Sequence, residues 1–446
     1  LLLGGSVSDD GTILFSAVKA SSALYMVSAG ANEIKPVEVQ GLDQSAEFRW
    51  PEFVAGSQDF LFNYGVPSAE SAIYLATLRD GTAVDPVLLM RNDTAASFTP
   101  AGGGRVVFVR DDNLYAQKLN RTARKLEGAP ELIERGVASS PAYSQAQFSV
   151  SRTGALAWRP GRAALSQVNI LDRNGTVVGT AGPPATIQTL RPSPDETRLL
   201  IAFDNAAWLL EPNHSGQLRL EQGSLNTLWF PDGSKFLSVV SSPKGLRLVE
   251  RPVTGTGQTR EMAIPRGLVR TQDISADGKT LLFNHGVYDT GLFSAHLDGT
   301  NEEPRSLIQT GETIVNSTFS PDGRWILYQV NAQDGGIYVQ PFPGPGLRRQ
   351  IASSGGYPVW RKDGREIVYL DGYQGQTYLW SVPVSSAGGE LRFSAPTRLF
   401  PVRLPATMFG DLNFLAVSRD GSRFYIPQAV EQPATGEIQV RTGGIR

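Results

Sequence analysis

TFSPDGRWILY, at residues 318–328, is the clearest copy of a repeated pattern, and the apolar segment IYV follows it at 337–339. Its Ser-Pro-Asp-Gly core suits a tight turn, because proline presets φ, aspartate can bond nearby backbone and glycine accepts a positive φ. The apolar run after the turn is short and rich in β-branched and aromatic residues, which is typical of a buried strand. Each copy therefore predicts a strand that begins at a tight turn.

The pattern recurs at a nearly constant spacing. WFPDGSKFL occupies residues 229–237, ISADGKTLLF occupies 274–283 and VWRKDGREIVY occupies 359–369. The turn glycines Gly233, Gly278, Gly323 and Gly364 are separated by 45, 45 and 41 positions. Because self-similarity at a period of about 20–50 residues is the signature of a repeat protein, we expect a tandem array of small units.

Six weaker copies bring the total to ten. Their turns lie at 8–11, 55–57, 102–104, 151–154, 193–196 and 418–421, and a short apolar run follows each. Two copies depart from the pattern, because Glu196 replaces the turn glycine and the copy at 55–57 lacks the Asp-Gly pair. These departures weaken the exact number of blades that can be counted, but they do not change the predicted fold of each blade.

Four strands fit into each period. In the clearest copy, further strands are predicted at 337–342 and 348–351. A single sheet of this kind cannot bury both faces by itself, whereas sheets stacked around an axis bury each other and leave short edges. Helical solenoids need a 3.6-residue periodicity that is missing, and a parallel β-helix has shorter repeats. The sequence therefore predicts an all-β chain, a β-propeller of four-stranded antiparallel blades.

Ten copies exceed the usual size of one ring, since propellers usually have about four to eight blades. A long polar connection lies between about residues 120 and 146. The favoured division places three N-terminal blades, part of an incomplete ring, at 1–140 and a seven-bladed propeller at 141–446. A single ten-bladed ring is the alternative. The strand candidate at 437–440 follows the tenth turn and is expected to help close the C-terminal ring.

Composition excludes several classes of site. The 446 residues contain no cysteine, so disulfides, thiolate zinc sites and cysteine nucleophiles are ruled out. A net charge of -2 offers no basic field to a nucleic acid. No run of about 18 apolar residues predicts a membrane span. The chain opens with Leu1 rather than methionine, so we expect a fragment or a processed product.

Catalytic signatures are missing from the sequence. It has no Gly-x-Ser-x-Gly elbow, phosphate-binding loop, His-Glu-x-x-His helix or kinase catalytic loop. The turn aspartates are predicted to cap turns, since no calcium-loop spacing accompanies them. Trp229 and Trp360 precede turns and are expected to pack between blades rather than hold a ligand. We therefore expect no catalytic, cofactor-binding or metal-binding residue in this chain, and the sequence leaves the ligand-binding residues unknown.

The turns resemble the repeats of TolB-type, WD-like bacterial propellers. FSPDGRWI at 319–326, IYVQPFPGPG at 337–346 and GGYPVWRKDG at 355–364 are most similar to the propeller region of some bacterial membrane-anchored serine/threonine protein kinases. The resemblance covers nearly the whole chain and is strongest from about 310 to 400. It implies a sensor or interaction module in the periplasm or outside the cell, possessing no catalytic residue because the kinase motifs lie outside this chain.

The expected function is the binding of a protein or a small-molecule ligand on one propeller face, where loops converge around the central channel. The alternatives are a propeller-based hydrolase, the gating propeller of a peptidase, or a scaffold of an envelope complex. Three or more carboxylates and a histidine at one channel mouth would favour an enzyme, whereas a channel lined by small and apolar residues would argue against it.

Overall fold

The computed structural model describes residues 2–18, 22–44, 46–65, 71–140, 144–161, 165–203, 206–212, 216–222, 224–242, 245–253, 258–265, 268–285, 291–298, 303–309, 311–332, 335–344, 346–387, 390–405, 413–430, 437–442 and 445. Within these ranges the regular structure is β-strand, apart from one 3-10 turn at Ala101–Gly103. Most strands form four-stranded antiparallel meanders. The predicted all-β class and its four-stranded unit are thus confirmed.

The chain divides into two compact units. The first contains Leu1–Ala163 together with Glu431–Arg446, and the second contains Ala164–Val430. The chain therefore leaves the first unit, completes the second and returns to the first. This division differs from the expected boundary near residue 140, because the copy at 151–154 belongs to the first unit.

The first unit contains three four-stranded meanders. The first has β1 (Leu2–Val7), β2 (Ile13–Val18), β3 (Ser22–Val27) and β4 (Lys35–Val39). The second has β5 (Phe48–Phe53), β6 (Asp59–Tyr64), β7 (Ala72–Arg79) and β8 (Thr82–Arg91). The third has β9 (Ala96–Thr99), β10 (Arg105–Arg110), β11 (Asn113–Asn120) and β12 (Lys125–Arg135). The outer strands β4 and β8 pair in parallel, which joins the first two meanders into one sheet.

A smaller sheet in this unit receives the end of the chain. After the short hairpin β13 (Ser139–Ser140) and β14 (Gln145–Ala146), the sheet consists of β15 (Phe148–Val150), β16 (Leu156–Trp158) and β42 (Gln439–Arg441). β42 pairs with β16 from Leu156↔Arg441 to Trp158↔Gln439. The expectation that this last strand closes the C-terminal ring was therefore wrong. The Arg441 guanidinium holds it in place by stacking 5.6 Å from the Trp158 ring and pairing with Glu134 at 2.7 Å.

The second unit contains six blades among the described residues. They are numbered here by the chain order of the innermost strand, which directly precedes the repeated turn. Blade 1 has β19 (Thr189–Pro192), β20 (Leu199–Phe203), β21 (Ala206–Leu210) and β22 (Gln217–Gln222). Blade 2 has β23 (Ser224–Trp229), β24 (Lys235–Ser242), β25 (Gly245–Pro252) and β26 (Arg260–Met262). Blade 3 has β27 (Leu268–Ile274), β28 (Thr280–His285), β29 (Gly291–His296) and β30 (Arg305–Gln309).

The other three blades follow the same plan with two variations. Blade 4 has β31 (Thr313–Phe319), β32 (Trp325–Asn331), β33 (Gly336–Pro341) and β34 (Arg349–Ala352). Blade 5 has β35 (Gly356–Trp360), β36 (Glu366–Tyr373), β37 (Gln376–Ala387) and β39 (Thr397–Val402), with β38 (Glu390–Phe393) paired to the end of β37. Blade 6 combines β40 (Ala416–Val417) and β41 (Arg423–Ala429) with β17 (Ser166–Asp172) and β18 (Val177–Ala185).

Blade 6 closes the ring because it takes strands from both ends of the unit. β17 and β41 pair along seven residues, from Ser166↔Ala429 to Asp172↔Arg423. The first strand of each blade contacts that of the next, and β40 of blade 6 contacts β19 of blade 1. The ring therefore has six blades, where the sequence suggested seven or a single ring of ten. The difference arises because β16, which follows the turn at 151–154, pairs with β42 in the first unit.

The blades bury both of their faces against each other, as the repeat argument requires. Leu228, Leu237 and Val239 of blade 2 pack with Leu281 and Phe283 of blade 3 in one apolar cluster. All five residues of β20 are buried. This two-sided burial explains why the strand after each turn reads as an unbroken apolar run.

The repeated turns have the predicted geometry. In the turn of blade 4, the Gly323 N–H donates to the Ser320 carbonyl at 2.8 Å, and Gly323 has φ 69. The Asp322 carboxylate accepts the Ser320 hydroxyl at 2.6 Å and the Arg324 N–H at 3.1 Å. Glu196 takes the place of the turn glycine with φ 62. The interpretation of the turn aspartates as caps is confirmed.

Candidate ligand-binding site

A cavity of about 410 Å³ lies at the turn-bearing end of the six-bladed ring. Residues from the first strand of every blade line it, and so do the turn residues Pro194, Pro231 and Pro321. Because a first strand in every blade contributes, the cavity occupies the centre of the ring. A ligand or a partner was expected at this place from the sequence.

One position of the repeat supplies the wall of this cavity. It lies four residues before the turn aspartate, or before its equivalent, in each blade, and it is occupied by Arg191, Leu228, Asp273, Thr318, Val359 and Ala416. The turns around it share one geometry, while this position carries six different side chains. Each repeat therefore combines a constant turn with one cavity-lining position whose side chain differs from blade to blade.

Arg191 extends from blade 1 to blade 3. Its Nη2 donates to the Gln272 carbonyl at 2.8 Å, while its buried Nε has no hydrogen-bond partner. Burial lowers the pKa of this guanidinium, and the carboxylate of Asp273 opposes that shift. An arginine keeps its charge in proteins even when burial lowers its pKa. A positive charge therefore lies in the cavity wall, and its Nε is buried without a hydrogen-bond partner.

Asp273 is held by its neighbours. Its carboxylate accepts the Ile274 N–H at 2.9 Å, the Phe319 N–H at 2.9 Å and the Thr318 hydroxyl at 2.8 Å. Burial raises its pKa, while Arg191 and these hydrogen bonds oppose the shift. Two of the three donors belong to blade 4, so this carboxylate joins blade 3 to blade 4.

A similar carboxylate bridge between neighbouring sheets occurs in the first unit, which indicates a structural role for Asp273. Glu52 of β5 accepts the Ser97 hydroxyl and the Phe98 N–H, both at 2.7 Å, from β9. Burial is the largest influence on the pKa of Glu52 and raises it. The repetition of one carboxylate bridge in two units indicates that Asp273 positions a neighbouring blade rather than a reacting group.

Aromatic side chains form another part of the wall. Trp229 and Trp360 are buried between blades, as predicted, and both also line the cavity. The Trp229 indole N–H donates to the Arg191 carbonyl at 3.1 Å, whereas the buried Trp360 indole nitrogen has no partner. Their position in the cavity wall was not predicted from the sequence. The sequence did contain an indication of it, because each tryptophan directly follows the cavity-lining position of its repeat.

Two further cations lie at the rim. The Lys362 ammonium of blade 5 donates to the Pro194 carbonyl at 2.9 Å. Arg419 of blade 6 is exposed, and its backbone N–H donates to the Glu196 carboxylate. Blades 5 and 6 are consecutive in the ring, so Lys362 and Arg419 lie on one side of the rim, whereas the Arg191 guanidinium reaches across to blade 3.

The arrangement that would favour an enzyme is not assembled at this cavity. Among its described lining residues, Asp273 is the single carboxylate and there is no histidine. His296 is exposed at the end of β29, and His214 lies outside the described residues. Within the described ranges no three His, Asp or Glu side chains gather closely enough to hold a metal ion. The part of the chain that the structure describes has no helix of the length and apolarity needed to span a bilayer.

No protein-family model matches the sequence, and no curated protein matches it either. Among solved structures, the chain is similar to a protein assigned as TolB from Agrobacterium tumefaciens, with 19% identity and a TM-score of 0.46 over 60% of this chain and 99% of that one. It is also similar to TolB from Acinetobacter baumannii, with 15% identity and a TM-score of 0.37 over 77% and 80% of the two chains.

A third similar structure is oligogalacturonate lyase from Vibrio parahaemolyticus, with 13% identity and a TM-score of 0.39 over 66% of this chain and 81% of that one. These similarities are too distant to bear on function. They do not bear on the finer resemblance to kinase-attached propellers either. The propeller architecture described above rests on the strand pairing of the chain itself.

Proposed function

We propose that this chain is a non-catalytic binding module whose ligand or protein partner docks at the turn-bearing mouth of the six-bladed ring. The observation that carries the proposal is the ring of six different side chains at one repeat position around a cavity of about 410 Å³. Small-molecule sites are typically concave, largely apolar and furnished with a few polar groups, and this cavity has that character.

The proposal extends to the setting of the chain. Its turns resemble those of bacterial envelope propellers, so we place it in the periplasm or outside the cell. There it would act as the sensor or interaction region of a signalling protein, such as a serine/threonine kinase whose catalytic domain lies outside this chain. This setting rests on the sequence resemblance alone.

The experiment is a thermal-shift screen with a variant that blocks the mouth. Ala276 is an exposed turn residue that lines the cavity, whereas Ala332 is exposed in the hairpin between β32 and β33 and lies outside the lining. Wild-type protein and A276W are screened against envelope extracts, peptidoglycan fragments and peptides. A ligand of this site raises the Tm of wild-type protein and of the control A332W, but not of A276W. An undiminished shift in A276W, or no ligand at all, would contradict the proposal.

A further inference from the structure

We infer that the cavity at the mouth of the six-bladed ring selects an organic carboxylate that carries an apolar group. This inference rests on the proposed binding function and specifies its ligand. The lining contains three cationic residues, Arg191, Lys362 and Arg419, and one carboxylate, Asp273. The charge of the lining therefore favours an anion.

Asp273 offsets the charge of Arg191, with which it interacts electrostatically, and Lys362 and Arg419 remain as the other two cations of the lining. The Asp273 carboxylate is also engaged by hydrogen bonds. It accepts two backbone N–H groups and the Thr318 hydroxyl, all within 2.9 Å. A carboxylate has about four lone-pair sites, and most are used here. A cationic ligand group would have to compete with the joint between blades 3 and 4. Asp273 is therefore a part of the scaffold rather than a receptor for a positive charge.

The cations, in contrast, retain donors. An ammonium has three donors, and the described contact of the Lys362 Nζ is one hydrogen bond to the Pro194 carbonyl. Partial burial lowers the pKa of Lys362, and the Arg419 cation adds to that effect while Glu196 and Asp195 oppose it. Lys362 and Arg419 are both exposed at the rim, so a bound carboxylate could reach them and supply acceptors.

The opposite side of the cavity has the chemistry for the rest of the ligand. Trp229 and Phe230 of blade 2, Ile274 of blade 3 and Phe319 of blade 4 line it, and all are buried. A volume of about 410 Å³ suits a small organic molecule or the end of a peptide. A ligand with a carboxylate at one end and a phenyl or alkyl group at the other would match both sides.

The test compares 4-phenylbutyrate with its neutral amide by calorimetric titration of the intact chain. We expect the carboxylate to bind about tenfold more tightly than the amide, which corresponds to about 1.4 kcal/mol. The double variant K362Q/R419Q should weaken carboxylate binding several-fold and leave amide binding unchanged. The control K279Q removes an exposed lysine of the blade 3 turn that does not line the cavity, and it should bind both probes as wild-type protein does.

A second experiment distinguishes two sources of such a carboxylate, the C-terminus of a peptide and a free organic acid. A short peptide ending in phenylalanine is titrated with a free and with an amidated C-terminus. Binding of the free form alone assigns the site to chain termini, and a peptide that fails where 4-phenylbutyrate binds assigns it to free acids; both outcomes support the inference. The A276W substitution should abolish the binding of 4-phenylbutyrate and of the peptide.

Three results would overturn the inference. They are equal affinity for the acid and the amide, unchanged acid binding in K362Q/R419Q, and no acid binding at millimolar concentration. If both probes bind equally and A276W abolishes both, the cavity remains a binding site and the preference for a carboxylate is refuted. If no probe binds and the thermal-shift screen also finds no ligand, the proposed function fails together with the inference.

Discussion

At the scale of single residues, the turn aspartates show how one side chain stabilises a repeat. Asp420 accepts the Ser418 hydroxyl at 2.7 Å and the Ser422 N–H at 2.9 Å. These bonds, with the Ser418 hydroxyl contributing most, lower the pKa of Asp420 from 3.8 to about 2. A carboxyl with a lowered pKa stabilises the fold above its unfolded pKa, and the contribution is lost as the pH falls through the folded value.

Replacement of Asp420 tests this account. We expect D420A to lower the free energy of unfolding at pH 7 by about 1 kcal/mol, because the bonds to Ser418 and Ser422 are lost at an exposed turn. As the pH falls from about 4 to about 2, wild-type protein should lose this advantage and approach the stability of D420A. Urea unfolding at several pH values measures both effects.

The matched control is D420N, which keeps an oxygen acceptor without a charge. It should be less destabilised than D420A at pH 7 and should lack the pH dependence that Asp420 contributes. A difference between wild-type protein and D420A that stays constant from pH 7 to pH 2 would show that the charged form of Asp420 has no special role in the turn.

The residues of the cavity differ from the turn residues in how far the sequence predicts them. Asp322 and Gly323 are recognised from four neighbouring letters, because turn chemistry is local. Arg191 and Asp273 occupy the same repeat position but share no residue type, so no pattern marks them. Their common position facing the channel became visible when the strands were placed around a ring. This is why the ligand-binding residues could not be predicted from the sequence.

At the scale of elements, closure of the second unit depends on β17. This strand lies between β41 and β18 and pairs with both. Near the same junction, Arg173 donates from Nη2 to the Glu366 carboxylate of blade 5 at 2.7 Å, and Glu366 is buried. Strand pairing and an ion pair between blades therefore stabilise the closing blade together.

A proline substitution tests the pairing. Ile170 is buried in β17 opposite Tyr425 of β41 and Gly179 of β18. We expect I170P to lower the free energy of unfolding by about 3 kcal/mol or more, because proline removes a ladder donor in a central strand. Denaturant unfolding followed by circular dichroism measures the loss.

The control is V178P in the outer strand β18. Val178 is 53% exposed and lies at the register shift between the pairs Ile170↔Gly179 and Leu171↔Val177. Proline is tolerated at edges and bulges, so V178P should cost much less than I170P. Equal losses in the two variants would contradict the central role assigned to β17.

At the scale of the whole molecule, the second unit is inserted between two parts of the first. Its ends meet, since the Val430 N–H donates to the Leu165 carbonyl at 3.1 Å and Ser166 pairs with Ala429. A segment with paired ends and its own core can fold by itself. We therefore expect residues 164–430 to form an independent propeller.

Excision tests this expectation. The fragment 164–430 should be soluble, rich in β-structure and unfold in one cooperative transition. The fragment 186–430 lacks β17 and β18, which leaves β41 as an uncovered edge, and exposed edges promote aggregation. It should aggregate or melt at a clearly lower Tm in differential scanning calorimetry. An unfolded 164–430 fragment, or two fragments of equal stability, would disprove independent closure.

The repeating unit can be predicted from the amino-acid sequence alone, because turns and buried strands depend on residues that are close along the chain. The Asp-Gly bends, the apolar runs and the four-stranded blade follow from such local rules. Three features depend on the three-dimensional arrangement: the six-bladed ring, the pairing of β42 with β16, and the position of Arg191 and Asp273 at one cavity. These features join segments far apart in the chain, and local chemistry does not specify which of several similar strands will pair.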